Sequence, residues 1–146
     1  MRRVLMGIGN ELNGDDGIGN VLAKEFSQRG WHSIACETVP ENFTSIVERE
    51  RPETLVIVDA ADMGIAPGEL RIIPHGKLGS AGFGTHGIPL SNLVSHLRGF
   101  AGEVVFIGIQ PHDTELGSGI SPQLESSKNR LIGILKDNDW GSIERL

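Results

Sequence analysis

The sequence predicts an α/β fold, a three-layer sandwich in which a mostly parallel central sheet of about five strands is flanked by helices. Three observations carry that prediction. The runs Val4 to Met6, Leu55 to Val58 and Val104 to Ile109 are apolar without polar alternation, as strands covered on both faces are. Between such runs lie stretches whose apolar residues recur at helical spacing. No repeat, linker or low-complexity segment breaks that order, so residues 1–146 read as a single domain.

The first strand runs through Val4, Leu5 and Met6 into Gly7, and Gly7 and Gly9 then give the backbone room to turn sharply. Ile18, Val21, Leu22 and Phe26 mark one face of a helix that ends near Gly30. A short second strand follows from His32 to Thr38. Pro40 and Asn42 open a second helix, with Asn42 as its expected N-cap and Phe43, Ile46 and Val47 on the buried side. Leu55 to Val58 is the strongest strand of the chain, and Asp59 ends it. Glu69 to Pro74 reads as a further strand, expected at an antiparallel edge. His75 to Gly87 is rich in glycine and lacks periodicity, so it reads as a mobile loop ending in Thr85-His86. Pro89 suits a first helical position ahead of Leu90, Leu93, Val94 and Leu97. After the last central strand, Ser121-Pro122 starts a helix with Leu124, Leu131, Ile132 and Leu135 on its apolar side. The tail beyond Asp139 is expected to fray.

Thirteen basic against nineteen acidic residues give a net charge of −6, which argues against nucleic acid or an anionic membrane as partner. Cys36 is the only cysteine, which excludes an internal disulfide and a cysteine-rich zinc site. No run approaches a membrane span, and Gly7 and Asn10 interrupt the first apolar run too early for a signal peptide. A cytoplasmic location is expected.

The chemistry is concentrated just past the strand ends. Gly7-Ile-Gly-Asn10 leads to the adjacent pair Asp15-Asp16. A dinucleotide-binding fingerprint would need glycine where Leu12 stands, so that reading fails at one of its three points. An acid at the start of the following helix would cap it, which accounts for one aspartate and leaves the other over. The third reading makes one of the pair a catalytic or metal carboxylate. Asp59, Asp62 and His112 also follow strand ends, and His86 comes from the glycine-rich loop. Two carboxylates and an imidazole meeting at one sheet edge could hold a divalent cation such as zinc or nickel. His32, His75 and His96 read as surface or satisfied residues. There is no H-E-x-x-H and no G-x-S-x-G, and Cys36 has no local base to activate it.

Taken together, Gly7-Ile-Gly-Asn10, Asp15-Asp-Gly-Ile-Gly19, Val58-Asp-Ala60, Thr85-His86 and Gly108-Ile-Gln-Pro111 resemble the hydrogenase maturation endopeptidases. Pro40-Glu-Asn42, Asp59-Ala-Ala-Asp-Met-Gly64 and Pro67 to Ile73 are similar to the branch serving formate-hydrogenlyase-type [NiFe] hydrogenases. The resemblance implies an endopeptidase that removes the C-terminal extension of a large-subunit precursor after nickel insertion, docking on nickel carried by the substrate. It places the metal-contacting and catalytic residues at Asp16, Asp59 and His86. Where the family often carries an Asp-Gly-Gly-Thr-like loop that reads the substrate, this chain has Ala35-Cys36-Glu37-Thr38, making Cys36, Glu37 and Thr38 the corresponding recognition residues. Amides of the first glycine loop would stabilise the oxyanion. The alternatives are a metallopeptidase binding its own zinc or nickel, and a non-catalytic module that holds a metal site during assembly.

Overall fold

The computed structural model describes residues 2–79 and 89–146. Among these residues five strands form one sheet: β1 (Arg3–Gly7), β2 (Trp31–Ala35), β3 (Thr54–Ala60), β4 (Leu70–Ile72) and β5 (Glu103–Ile109), in the order β2-β1-β3-β5-β4. All neighbours are parallel except β4, which runs antiparallel to β5 at the edge. The α-helices of the described residues, α1 (Ile18–Glu25), α2 (Thr44–Glu50), α3 (Leu90–Leu97) and α4 (Pro122–Lys136), cover the sheet.

Strand sidedness follows from the sequence. Val4, Met6, Leu55, Ile57 and Phe106 pack with Val47 of α2 and with Leu90, Leu93, Val94 and Leu97 of α3. Leu5, Val56, Val58, Val105 and Ile107 face the other way, onto Ile18 and Leu22 of α1 and Leu124, Leu131 and Leu135 of α4. Unbroken apolar runs are needed because each central strand is covered on both sides.

The chain leaves β1 through α1 to reach β2 on one side, then crosses through α2 on the opposite face to β3. The strand order therefore reverses between β1 and β3, and the crevice beyond their carboxyl ends is where open α/β sheets bind ligands.

Several boundaries differ from the sequence expectation, each for a local reason. β2 stops at Ala35 because Glu37 adopts a left-handed conformation (φ 51°), which bends the chain out of the sheet before Thr38. Asn42 is not an N-cap: Pro40–Phe43 forms a 3₁₀ turn, and α2 begins only at Thr44. Asp59 lies within β3, which continues to Ala60. Pro89, with an extended ψ of 121°, is the N-cap of α3 and stands one residue before its first helical position, its carbonyl accepting from the amides of Asn92 and Leu93.

The tail past Asp139 is ordered by contacts and does not fray. Trp140 packs edge-on against Trp31 at 6.1 Å, and Ile143 is buried. The amide of Ile72 donates to the Glu144 carbonyl at 2.9 Å, and that of Leu146 to the Ile72 carbonyl at 2.9 Å, so the tail covers the open side of β4. Among the described residues no helix is long and apolar enough to cross a membrane.

Candidate active site

β1 ends in a seam held from both sides. Ile8 donates to the Val58 carbonyl (2.9 Å) on β3, Gly9 to the Glu37 carbonyl (2.8 Å), and Cys36 to the Gly7 carbonyl (2.8 Å). Asn10 then caps a 3₁₀ turn over Glu11–Gly17, its Oδ1 accepting from the Leu12 amide at 3.0 Å. That turn is broken at Asn13 and Gly14, where Gly14 sits at φ 57°, ψ −128°, a conformation that costs a residue with a Cβ.

The break gives the adjacent acids separate environments. Asp15 is fully buried and accepts four hydrogen bonds: from the amides of His112 (2.9 Å), Asp113 (2.9 Å) and Ser121 (2.7 Å), and from the Ser121 hydroxyl (2.8 Å). Burial alone pushes its carboxyl pKa up, but these donors outweigh it and hold the group below the ordinary carboxylate value, and so ionised. Ser121 stands at the N-cap of α4, yet its hydroxyl serves Asp15 and makes no cap bond.

Asp16 instead lines an open cleft of about 810 Å³, and its Oδ2 accepts from the Asn10 amide at 3.3 Å. Asn13, Thr38, Asp62, Gln110 and His112 are among its other walls. The cleft opens beyond the carboxyl ends of β1, β3 and β5, at the crevice set by the strand order.

Asp59 is almost wholly buried, with 2% of its surface exposed, on the second-last residue of β3 opposite Gly108 of β5. Strand alternation puts it on the face of Leu55 and Ile57, the side covered by α2 and α3. Asp16 thus stands on the turn that follows β1, and Asp59 near the carboxyl end of the neighbouring strand β3. Asp62 joins Asp16 in the cleft wall, while Asp59 lies just beneath it, one residue before the lining Ala60 and Ala61; Asp62 accepts from the Gly64 amide and from Gln110 Nε2, both at 3.2 Å. His112 also lines the cleft. His86, the expected third metal contact, lies outside the described residues, as does most of the glycine-rich loop.

The expected recognition loop divides. Cys36 is fully buried, its Sγ directed at the Ile34 carbonyl, and burial pushes its thiol pKa up to about 12, so it is core and cannot touch a substrate. Glu37 is exposed and Thr38 half-buried, and both line a second cleft of about 440 Å³, which shares Asn10 and Thr38 with the first. The other described histidines are engaged at the surface: His32 with Glu50 (2.6 Å), His96 with Glu48 (2.7 Å) and His75 with Arg98 (2.9 Å).

The amides of residues 8, 9, 10, 12, 13 and 15 all donate to protein acceptors, which takes them out of the oxyanion role expected of the glycine loop. Among the described residues no three His, Cys, Asp or Glu side chains are grouped closely enough to hold a metal ion.

Two further residues, which the sequence analysis does not single out, support the site. Asn20, 1% exposed on α1, donates to Glu11 Oε2 (2.5 Å) and accepts from the Glu37 amide (2.8 Å), joining the two loops that flank the second cleft. Gln110, at the end of β5, accepts from the Met63 amide (2.6 Å) and holds the loop after β3 beside the main cleft. Its sequence signals are its place just past an apolar run and within Gly108-Ile-Gln110-Pro111.

Comparison with known proteins reaches the same place. The family model for hydrogenase maturation proteases (HycI) matches residues 18–137. The hydrogenase 3 maturation protease of Escherichia coli K12 is similar to this chain at 41% identity over 115 residues, covering 76% of this chain and 74% of that protein. A putative hydrogenase maturation protease of Methanocaldococcus jannaschii is 33% identical over 144 residues, covering 90% of this chain and 85% of that one. The solution structure of the endopeptidase HycI from Escherichia coli superposes with a TM-score of 0.87 at 33% identity, covering 100% of this chain and 97% of its own. A family match across 18–137, a shared fold and a carboxylate-lined cleft at the strand reversal agree: the chain belongs to the hydrogenase maturation protease family, and is an endopeptidase.

Proposed function

We propose that this chain removes the C-terminal extension from a [NiFe] hydrogenase large-subunit precursor after nickel insertion, using the precursor's own nickel as its docking point. The observation that supports the reading is Asp16 open to the cleft on the turn that follows β1, with Asp59 on the second-last residue of the neighbouring strand β3. The family and the names of the relatives support the substrate class.

In this reading Asp16, Asp59 and a neutral His86 complete the coordination sphere of the substrate's nickel. Carboxylate and imidazole donors suit that ion, and anchoring it fixes the neighbouring peptide bond in the cleft. A carboxylate of the set takes a proton from a water, the water oxygen attacks the peptide carbonyl carbon, and the C–N bond breaks as the leaving nitrogen is protonated. Because the inner amides of the first loop are occupied, stabilisation of the oxyanion falls to the cation and to groups elsewhere in the cleft. In the same reading Glu37 and Thr38, which line the second cleft, contact the polypeptide.

The deciding experiment incubates the protein with nickel-loaded and nickel-free precursor. Wild type is expected to shorten only the loaded form, while Asp16→Ala and His86→Ala keep the fold and leave the precursor at full length. Normal cleavage by both variants would overturn the assignment. Stoichiometric zinc in the purified protein, with cleavage of nickel-free precursor, would replace it with a resident-metal peptidase. Binding without any shortening would leave only an assembly module.

A further inference from the structure

Leu12 and Leu116 are the large hydrophobic residues that the described part of the chain leaves exposed, at 68% and 79%. Single exposed leucines are common on protein surfaces. These two fall on neighbouring turns, one after β1 and one after β5, and the Gly117 amide joins the turns by donating to the Leu12 carbonyl at 2.8 Å. Both turns also build the cleft: Asn13 follows Leu12, Thr114 precedes Leu116 by two residues, and Asn13 and Thr114 both line the space beside Asp16. Leu12 itself lines the second cleft with Glu37 and Thr38.

The turns are held firmly. Asp15 anchors the later one through three backbone amides and a hydroxyl, and a Cβ on Gly14 would lie 2.4 Å from both the Asp113 carbonyl oxygen and Ser118 Oγ. A bare leucine on a well-anchored turn meets a partner already ordered, so little side-chain and loop entropy is lost when it is covered.

We propose that Leu12 and Leu116 form an apolar rim on which the polypeptide entering the cleft seats aliphatic or aromatic side chains next to its scissile bond. The inference rests on the assignment of the cleft to peptide cleavage at Asp16. Continuity identifies the occupant, because a chain laid across either cleft passes the turns that carry the leucines. Polar residues that line the two clefts beside Leu12, namely Asn10, Asn13, Glu11, Lys24 and Thr38, form the wet margin expected of an apolar contact that opens and closes with turnover.

The test is steady-state cleavage of nickel-loaded precursor by wild type, by the double variant Leu12→Ser/Leu116→Ser, by Leu12→Met/Leu116→Met and by Asp16→Ala. The serine variant is expected to raise KM at least tenfold, with most of kcat and the melting temperature retained, and the methionine variant to keep the wild-type KM. An unchanged KM in the serine variant, with Asp16→Ala inactive, would overturn the rim and leave the cleft assignment standing. Full activity of Asp16→Ala would remove the cleft assignment and the rim with it. A lowered melting temperature in the serine variant would make the leucines structural, and a wild-type dimer that dissociates on the serine substitution would make the rim a contact between copies. Either result would also overturn the proposal.

Discussion

Ser121 is bound to Asp15 twice, its amide to one carboxylate oxygen at 2.7 Å and its hydroxyl to the other at 2.8 Å, across 106 positions of sequence. Together with the amides of His112 and Asp113, this fastens the loop before α4 to the loop before α1. The partner acid Asp16 is left to the cleft. Asp15→Asn keeps the size but turns an NH₂ group toward donors that need acceptors. Hydrogen bonds to a buried charge contribute roughly 1.5–3 kcal/mol, and each donor left unsatisfied costs about as much. The expected loss is about 3 kcal/mol, read from the urea midpoint; a loss below about 1 kcal/mol would show that the clamp is not structural.

The same carboxylate sets an acid limit. Its folded pKa lies below the ordinary value, so its stabilisation is complete above an unfolded pKa of about 3.9 and is lost as pH falls through the folded value. The stability gap between wild type and Asp15→Asn should be full at pH 6 and should shrink below about pH 4. A gap that stays constant between pH 6 and pH 3 would mean that another group governs acid unfolding.

Much of this was legible in the sequence, and the limits have physical causes. β1, β3 and β5 announce themselves because burial on both faces demands unbroken apolar runs, and the antiparallel edge strand β4 fell where Glu69 to Pro74 predicted it. The acids past the strand ends were visible too. The choice of Asp16 over Asp15 rests on the family resemblance alone, because which acid enters the cleft depends on a backbone break at Asn13-Gly14 that no periodicity records. Cys36 looked like part of a recognition loop, yet its amide bonds to the Gly7 carbonyl beside the end of β1 and its side chain joins the core. The ordered tail was missed because Trp140 and Ile143 act through contacts with Trp31 and the far core, too distant in sequence for a short segment to signal.

Lys128 of α4, 2% exposed, reaches Glu25 at the end of α1 at 2.7 Å and also pairs with Glu125. Desolvation pulls its pKa down, but the two carboxylates outweigh that and raise it, so the stabilisation is present below about pH 10.4 and is lost as pH rises through the folded value. Both glutamates are about half exposed, so solvent screens the pairing. Lys128→Met, which keeps the buried stem, should change stability by less than about 1 kcal/mol, whereas Lys128→Ala should cost about 2 kcal/mol through the lost packing between α1 and α4. Equal large losses in both variants would show that the charge itself holds the helices together.

Cys36 offers a clean reporter of opening. With its thiol buried and its pKa pushed up to about 12, it should not react with a disulfide reagent at pH 8 in the native protein. One equivalent should be released in denaturant, and precursor cleavage should be unaffected by prior exposure of the native enzyme to the reagent. Rapid native-state labelling would place the segment 36–38 among the parts that open locally.

Gly19 tests whether the seam beneath the acids tolerates change. It sits on the first turn of α1, where a Cβ would lie 2.3 Å from both the Ile8 and the Val58 carbonyl oxygens, against the bond that joins the ends of β1 and β3. Those are backbone atoms and cannot swing aside, so Gly19→Ala must lift α1 from the sheet. Overpacking of this kind costs about 3 kcal/mol, and it shifts Asp16, three residues earlier, relative to Asp59 on β3. Cleavage should therefore fall with stability, and added osmolyte that restores the fold should not restore the rate. Gly133→Ala is the control: it lies in α4 with open space at the Cβ position, and there the greater helix preference of alanine should stabilise by about 0.5–1 kcal/mol with unchanged cleavage. If Gly19→Ala proved as benign as Gly133→Ala, the contact between α1 and the strand ends could not be what fixes the position of Asp16.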